Sequence, residues 1–382
     1  MLSGRGVTSF RKELLQWFRQ FRRDLPWRRT KNPYRIWVSE IMLQQTRVAA
    51  VIPYYERFLE RFPDVRALAE APEEEVLRLW SGLGYYSRAR NLQQAGRQIV
   101  ARHGGEFPRD EAAVRELAGI GSYTAAAILS IAFDEQHAVL DGNVARVLAR
   151  LGAVRGDLRE SKRWQALQKT AGALLEPRAS GDWNQAMMEL GATVCTPRAP
   201  QCLLCPVAKF CQARELGNPE AYPEKRKKRE AVLIVLAAAV LCDARNQTLL
   251  LPPPERTAKK ADDVATLVSG MWHFPTVAVR QDARIELREL LTELWPRASS
   301  HAALEPLAKV RHAVTYRNVT VLPFRVRVAK LPRLRDTQAL PLEEVLALPV
   351  SNLTRKIAKA AMSQTAAAGA AGAPPPLLAA NS

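Results

Sequence analysis

From Phe10 to about Ala213, apolar residues recur at helical spacing. Over Arg11–Arg22 they are Leu14, Leu15, Trp17, Phe18 and Phe21; over Ile36–Arg47 they are Ile36, Trp37, Ile41, Met42 and Leu43. Short breakers separate these segments: Asn32-Pro33, Phe62-Pro63, Ser81-Gly82 and His103–Gly105. Amphipathic helices joined by short loops predict an all-α region. The period changes after Lys225–Arg229, five consecutive basic residues close to Pro219 and Pro223. Ala231–Cys242 is β-branched and apolar, and Leu249–Leu251, Ala265–Val268 and Thr320–Val328 are further strand candidates, whereas Leu287–Leu294 and Leu342–Leu348 read as helices. A smaller α+β domain is expected there. From Ala366 the chain is Ala, Gly and Pro with almost no charge, a composition that cannot bury a core. The expected division is therefore a helical region over 8–217, a basic linker over 218–230, an α+β domain over 231–362 and a disordered tail over 363–382. No internal repeat is visible.

A length of 382 residues suits two to three domains, and 47% hydrophobic residues suffice to bury a real core. The longest apolar run, Ala231–Leu241, has 11 residues, too few to span a membrane. The first residues lack the apolar stretch of an export signal, so a cytoplasmic location is expected, at the nucleoid if the chain is prokaryotic. Charge changes the picture more. Lys and Arg number 56 against 38 Asp and Glu, a net charge of +18, which favours a polyanionic partner, with nucleic acid first. We expect a monomer with no membrane partner. Lys225–Arg229 has the makings of a nuclear signal, but a solvated linker facing phosphate is the plainer reading of so short a run.

Four of the five cysteines crowd together at Cys195, Cys202, Cys205 and Cys211. Such bunching in a long chain points to a metal site rather than a disulfide framework. The two-residue gap lets Cys202 and Cys205 face one centre, and the flanking pair closes the shell. Spacing alone leaves zinc and an iron–sulfur cluster both open. Cys242 lies apart in a candidate strand and reads as core. Arg198 and Lys209, on the same loop, are candidate phosphate contacts.

Two further segments carry chemistry. In Leu117–Ala125, Gly119 and Gly121 permit a tight turn whose following helix start can hold a phosphate, although glycine turns between helices are common. In Val139–Val147, Asp141 precedes a helical run, and read alone it is a helix N-cap. Near a cavity the backbone dipoles of that helix start would keep it ionised.

The six, two and five residues between the cysteines are similar to the four-iron, four-sulfur loop of the endonuclease III and MutY family of DNA glycosylases. Asn184–Gly191 resembles the approach to that cluster. In the same setting Leu117–Ala125 resembles the helix-hairpin-helix of this superfamily, a reader of the DNA backbone, and Leu140–Arg146 its catalytic aspartate motif. Asp24–Arg28, Trp37–Arg47 and Gly82–Leu92 resemble MutY-type adenine DNA glycosylases. The resemblance is dense over residues 10 to about 213 and loose beyond. It implies a 4Fe-4S cluster on the four cysteines, held for structure, and a double-stranded DNA substrate containing A:8-oxoguanine or A:G mispairs. It also implies Glu40 as the acid that protonates the departing base, and Asp141 as the group that stabilises the sugar cation. Asn143 and Tyr123 would orient Asp141. Trp27, Arg28, Leu43, Gln45 and Gln185 would line the adenine pocket, Gly119 and Gly121 would contact backbone, and Tyr85 would wedge into the duplex.

In endonuclease III-like members a lysine stands two residues after the second hairpin glycine and forms a Schiff base. Here that position is Tyr123, and a phenol cannot form an imine, so base removal without efficient strand cleavage is expected. Glu40 sits among apolar neighbours on one helix, where loss of solvent raises a carboxyl's pKa. Further on, Val268–Pro275 resembles a stretch of the Nudix-like C-terminal domain of MutY-type enzymes, without a Nudix catalytic glutamate cluster. Where the family often has Phe-Ser-His against the oxidised base, this chain has Val314-Thr315-Tyr316. Thr315 retains a hydroxyl, but Phe and His are absent, which leaves strict 8-oxoguanine preference less supported than adenine excision; strand packing by Val314 and Tyr316 is an equal reading. Two alternatives stand beside the adenine-specific enzyme. One is a pyrimidine-directed glycosylase with lyase activity, the other a non-catalytic iron–sulfur DNA-binding protein.

Overall fold

The computed structural model describes residues 4–224, 230–253, 268, 271–296, 303–314 and 316–370. Two compact units emerge: residues 1–73 with 88–228, and residues 74–87 with 229–382. Among the described residues no helix is long and apolar enough to cross a membrane.

The first unit is helical. Its first helix, α1, spans Gly4–Phe21 and buries Phe10, Leu14, Leu15 and Phe18. α2, Pro33–Leu43, begins where Pro33 pre-sets the first turn and the Asn32 side chain accepts the Arg35 N–H at 3.1 Å. The pattern predicted this helix through Arg47, yet it stops at Leu43. Gln45 adopts φ 57°, in the left-handed region, and the buried Arg88 guanidinium donates to the carbonyls of Ile41 (2.8 Å), Met42 (3.1 Å) and Gln44. A cation on the last carbonyls ends the helix and satisfies them together.

In chain order α3 (Val48–Arg61), α4 (Val65–Glu70), α5 (Glu73–Trp80, which past Glu73 falls in the second unit), α6 (Ser87–His103) and α7 (Glu111–Arg115) follow, and then α8, Ser122–Phe133. α8 is apolar on nearly every side, with Thr124–Ile131 buried, and packs against α2 and against α11, Ser180–Thr193. A helix without a polar face belongs at the centre of a bundle. The short α12, Gln212–Glu215, follows α11, and between α8 and α11 come α9, Gly142–Leu151, and α10, Ser161–Leu174. The buried Asn184 of α11 links them: its amide donates to Ser130 Oγ (2.8 Å) and His137 O (2.7 Å), and its carbonyl accepts Val139 N–H (3.2 Å). This fixes the stretch leading into Asp141. α11 also meets the start of α9 closely, because a Cβ on Gly191 would lie 2.7 Å from Asn143 Cβ.

Residues 218–224 differ from the linker expected of them. Tyr222 is buried, and its carbonyl accepts Arg150 Nε at 2.9 Å, so this stretch is packed chain. Lys225–Arg229 lie outside the described residues.

The second unit is built on two long parallel strands, β1 (Val232–Cys242) and β6 (Arg317–Arg327), paired from Val232↔Arg317 to Cys242↔Arg327. β3 (Thr276–Ala278) flanks β1, while β4 (Leu304–Pro306) and β5 (Val310–Val314) pair with β6, all antiparallel; β2 (Gln247–Leu250) and β7 (Gln338–Pro341) form a separate pair. From Leu236 onward both faces of β1 are covered. Leu236, Ala238 and Val240 pack with Leu353, Ile357 and Ala361 of α14 (Asn352–Ala370). Ala237, Ala239 and Leu241 pack with Leu287 and Leu291 of α13 (Ala283–Leu294). Strands buried on both sides read as continuous apolar runs, which is why Leu236–Cys242 shows no alternation. Of the sequence expectations here, Leu342–Leu348 is a 3₁₀ stretch over Leu342–Ala347, and Ala265–Val268 lies outside the described residues except for Val268. The helix α14 runs through Ala370, where a disordered tail was expected from 363; its earlier turns pack through Leu353, Ile357 and Ala361, and residues 371–382 lie outside the described part.

A further departure is that Glu74–Ser87 belongs to this unit and not to the helical one. Ser81 Oγ and Tyr86 OH both donate to Val350 O (3.2 and 3.0 Å), Arg355 Nη2 donates to Ser81 Oγ (2.8 Å), and Asn352 Nδ2 donates to Gly82 O (3.3 Å).

We expect Asn184→Ala to lower unfolding stability by on the order of 3 kcal/mol, because several buried polar groups lose their partner at once. Urea or thermal melts of the two proteins measure it, and a change near zero would show that Asn184 is not the tie it resembles.

Candidate active site

A cavity of about 650 Å³ opens in the helical unit. α2 lines it with Ile36, Ser39, Glu40 and Leu43, and α11 with Gln185, Met188, Glu189 and Ala192. Both sets follow i, i+3, i+4, i+7, one stripe of a helix each. The start of α8 adds Tyr123; the start of α9 adds Asp141, Gly142, Asn143 and Arg146; and the 3₁₀ turn Pro26–Arg28 adds Trp27 and Arg28. Gln45, carried past the end of α2, completes the mouth with Gln44 and Thr46.

Nine residues singled out in the sequence therefore share one cavity: Trp27, Arg28, Glu40, Leu43, Gln45, Tyr123, Asp141, Asn143 and Gln185. Others lie elsewhere. Gly119 turns the chain at φ 76°, where a Cβ would strike Asn91 at 2.7 Å, and Gly121 is the extended N-cap of α8 without a side-chain cap. Tyr85 is exposed, at φ 49°, within the Glu74–Ser87 segment of the second unit. Thr315 lies outside the described residues. Val314 ends β5, opposite Arg317. Lys209, a candidate phosphate contact, pairs with Glu13 at 2.7 Å.

Glu40 is 7% exposed. Burial pushes its carboxyl up to about 7; the Tyr123 hydrogen bond and the Arg28 charge oppose that rise, and the Asp141 charge adds to it. Tyr123 OH donates to Glu40 Oε2 at 2.9 Å and also lies 3.2 Å from Met188 Sδ. The expectation that Tyr123 orients Asp141 directly is corrected here, since a phenol has one proton and this one goes to Glu40. Asn143 does reach Asp141, Nδ2 to Oδ2 at 3.2 Å, and Val144 N–H donates to Oδ1 at 2.7 Å. Asp141 is thus an N-cap and a cavity wall at once. Burial raises its carboxyl, against the pull of the Val144 and Asn143 hydrogen bonds and the Arg146 charge, so the helix start offsets desolvation without abolishing it.

Arg23, Ser39, Arg146, Met188 and Glu189 were not singled out from the sequence. The helical register of Gln185 carried a signal for Met188 and Glu189, which follow it at three and four positions. Arg23 carried none.

The four clustered cysteines follow α11. Each is partly exposed. Burial pushes the Cys205 thiol up to about 12, and the charges of Cys195, Cys211 and Cys202 push the same way. The buried Arg150 donates to Cys195 Sγ at 3.3 Å and to Thr196 O at 2.7 Å. Among the described residues no three His, Cys, Asp or Glu side chains are arranged to hold a single metal ion.

The pattern of the HhH-GPD superfamily of base excision DNA repair proteins matches residues 38–172, which contain Glu40, Tyr123 and Asp141. The chain is 50% identical over 218 residues to the adenine DNA glycosylase of Rattus norvegicus, covering 55% of this chain and 42% of that protein. It is 36% identical over 315 residues to the adenine DNA glycosylase of Arabidopsis thaliana, covering 74% of this chain and 50% of that one. The chain thus spans about half the length of these curated relatives. A thermostable thymine-DNA glycosylase of known structure is 30% identical, with a TM-score of 0.51, over 55% of this chain and 97% of that one. With the pattern spanning the segment that carries the cavity's acids and the likeness to that enzyme extending over nearly its whole length, the chain belongs to the HhH-GPD superfamily of base excision DNA repair proteins.

Proposed function

We propose that this chain is an adenine DNA glycosylase that hydrolyses the N-glycosidic bond of adenine mispaired with 8-oxoguanine or guanine and leaves the strand intact. The observation that carries the reading is a pair of acids in one cavity, Glu40 with a carboxyl near 7 and Asp141 held by α9, with a tyrosine where a lyase needs an amine. The high identity to adenine DNA glycosylases supports the choice of base.

Purine release is acid-assisted, because a proton on N7 turns the base into a neutral leaving group. A carboxylic acid half-protonated near pH 7 is matched to that task. Glu40 gives its proton to N7, the C1′–N9 bond breaks with its electron pair passing to the base, and the sugar is left cationic. Asp141 stabilises that cation by charge. Water then adds at C1′ and gives its proton to the Glu40 carboxylate, so the acid is restored. Trp27, Arg28, Leu43, Gln45 and Gln185 enclose the extruded base, whose removal from the stack costs a few kcal/mol and is cheapest at a mispair. Gly119 and Gly121, at the free start of α8, suit backbone phosphate, and the same helix carries Tyr123, so holding the duplex and aligning the acid are one act. The net charge of +18 supports a nucleic-acid substrate whose affinity falls steeply with salt.

Cys195, Cys202, Cys205 and Cys211 would hold a 4Fe-4S cluster. The six, two and five residues between these cysteines support that reading, and Arg150, which donates to Cys195 Sγ, would offset the anionic charge of the thiolates. With four protein ligands the cluster would supply structure and no open site for chemistry.

We expect duplexes with A opposite 8-oxoguanine and opposite G to lose adenine, and the strand to break only after alkali, with the single-turnover rate falling as pH rises through about 7. Prompt strand cleavage trapped by borohydride, or release of a pyrimidine instead, would overturn the reading. Glu40→Gln and Asp141→Asn should each bind mispaired DNA with near-normal affinity and lose excision by roughly 10²-fold or more; normal rates would remove these roles. Chemical analysis of the purified protein should find iron and acid-labile sulfide, and stoichiometric zinc would contradict the cluster.

A further inference from the structure

Glu189 is unexplained by the chemistry above, yet it is an acid 1% exposed in the wall of the active cavity. Its Oε1 accepts the Arg23 backbone N–H (3.1 Å) and Arg23 Nε (2.8 Å), and its Oε2 accepts Arg23 Nη2 (2.7 Å) and Arg28 Nη2 (2.8 Å). Arg28 in turn donates Nη1 to Arg23 O at 3.1 Å and lies 5.4 Å from the centre of the Phe18 ring. One carboxylate therefore holds two guanidinium groups, and the pair it makes with Arg28 is nearly out of water on both sides, with side-chain exposures of 9% and 1%.

We propose that Glu189 is a positioning residue for the acid step: it anchors Arg28 on the α11 wall and thereby keeps that cation from pairing with Glu40. This deepens the proposed function and rests on it. The other carboxyls lining the cavity are Glu40 and Asp141. An Arg28 released from Glu189 would turn to one of them, since a buried charge left without its partner is costly. Glu40 is faced by Tyr123 from α8, by Asp141 from the start of α9 and by Arg28 from the 3₁₀ turn, with Arg146 on the same cavity wall. The Asp141 charge favours the protonated acid and the Arg28 charge disfavours it, so the place of Arg28 decides how much proton Glu40 keeps at neutral pH. Glu189 itself stays ionised throughout that range. Burial alone would raise it, but the Arg23 and Arg28 hydrogen bonds hold it down to about 2. It is a fixed anchor and does not titrate alongside Glu40.

The test follows the Glu40 carboxyl by carbon-13 NMR in DNA-free protein, and the pH dependence of single-turnover excision alongside. Glu189→Gln should move the Glu40 midpoint down by about one unit, a tenfold change in its proton affinity. The falling limb of the rate should move down with it, because Arg28 then lies nearer Glu40 and favours the charged form. Glu189→Asp should restore most of the midpoint. In an Arg28→Met background, Glu189→Gln should leave the midpoint within a few tenths of a unit, because the effect passes through Arg28. That background also removes the orphaned charge, so it gives an answer if Glu189→Gln alone does not fold. An equal loss of rate at every pH with an unmoved midpoint would overturn the proposal, as would the same downward shift with and without Arg28. A wild-type protein that releases no adenine would sink the proposed function, while the NMR titration still decides the role of Glu189.

Discussion

Keeping one carboxyl dry beside an open cavity is the constraint on which the helical unit depends. Glu40 sits on a helix whose residues from Ile36 to Met42 are all buried, and no surrounding group neutralises it fully. Loss of water raises its pKa, and the lone Tyr123 bond pulls only part of the way back. The sign of the stability term follows. A group whose folded pKa lies above its unfolded value of 4.5 stabilises the fold fully below 4.5, and that contribution is lost as pH rises through about 7. At neutral pH the molecule therefore carries a burden of roughly 1–3 kcal/mol for holding this acid ready. The apolar α8 packed against α2 and the satisfied Asn184 tie offset that burden.

Tyr123 and Asp141 show how two ordinary devices of helix geometry become parts of one centre. Asp141 caps α9, as Asp does at many helix starts, and the bonds that make it a cap are those that favour its charge. Gly191 makes room for this, since any side chain there would press on Asn143 and hence on its bond to Asp141. Tyr123 enters from the first turn of α8, whose own N-cap, Gly121, contributes no side chain. Asp141 is thus held by one helix start, and Glu40, on α2, is bonded from another.

Periodicity made the helical region legible, and the glycine and aspartate segments stood out because they interrupt it. What stayed hidden was set by residues far apart in sequence. The end of α2 at Leu43 depends on Arg88, whose guanidinium arrives from α6, and nothing local to Gln44-Gln45 announces it. The bond from Tyr123 to Glu40 joins positions 83 residues apart, so the wrong acid was assigned to that phenol. Arg23 and Glu189 are 166 residues apart, and nothing local to Arg23 announced their pairing. The Ala-rich start of the C-terminal tail misled for a different reason. Small residues show little contrast between faces, and α14 is held by Leu353, Ile357 and Ala361 rather than by a strong stripe.

The same distance effect governs the Glu74–Ser87 segment. Gly82 and Gly84 have φ of 115° and 72°, and between them and Tyr86 stands Tyr85 at 49°, a conformation costly for an aromatic residue. Such a turn persists only if its surroundings over-determine it. Here Val350 O receives two hydroxyls, Ser81 Oγ receives the Arg355 guanidinium, and Trp80 Nε1 donates to Gly84 O at 3.2 Å. Four of the bonds that fix the turn therefore come from Val350, Asn352 and Arg355, at and just before the start of the last helix. The direction in which Tyr85 points is decided some 270 residues downstream of it, which explains why a segment lying within the helical part of the sequence is, by its packing, a part of the sheet-containing unit.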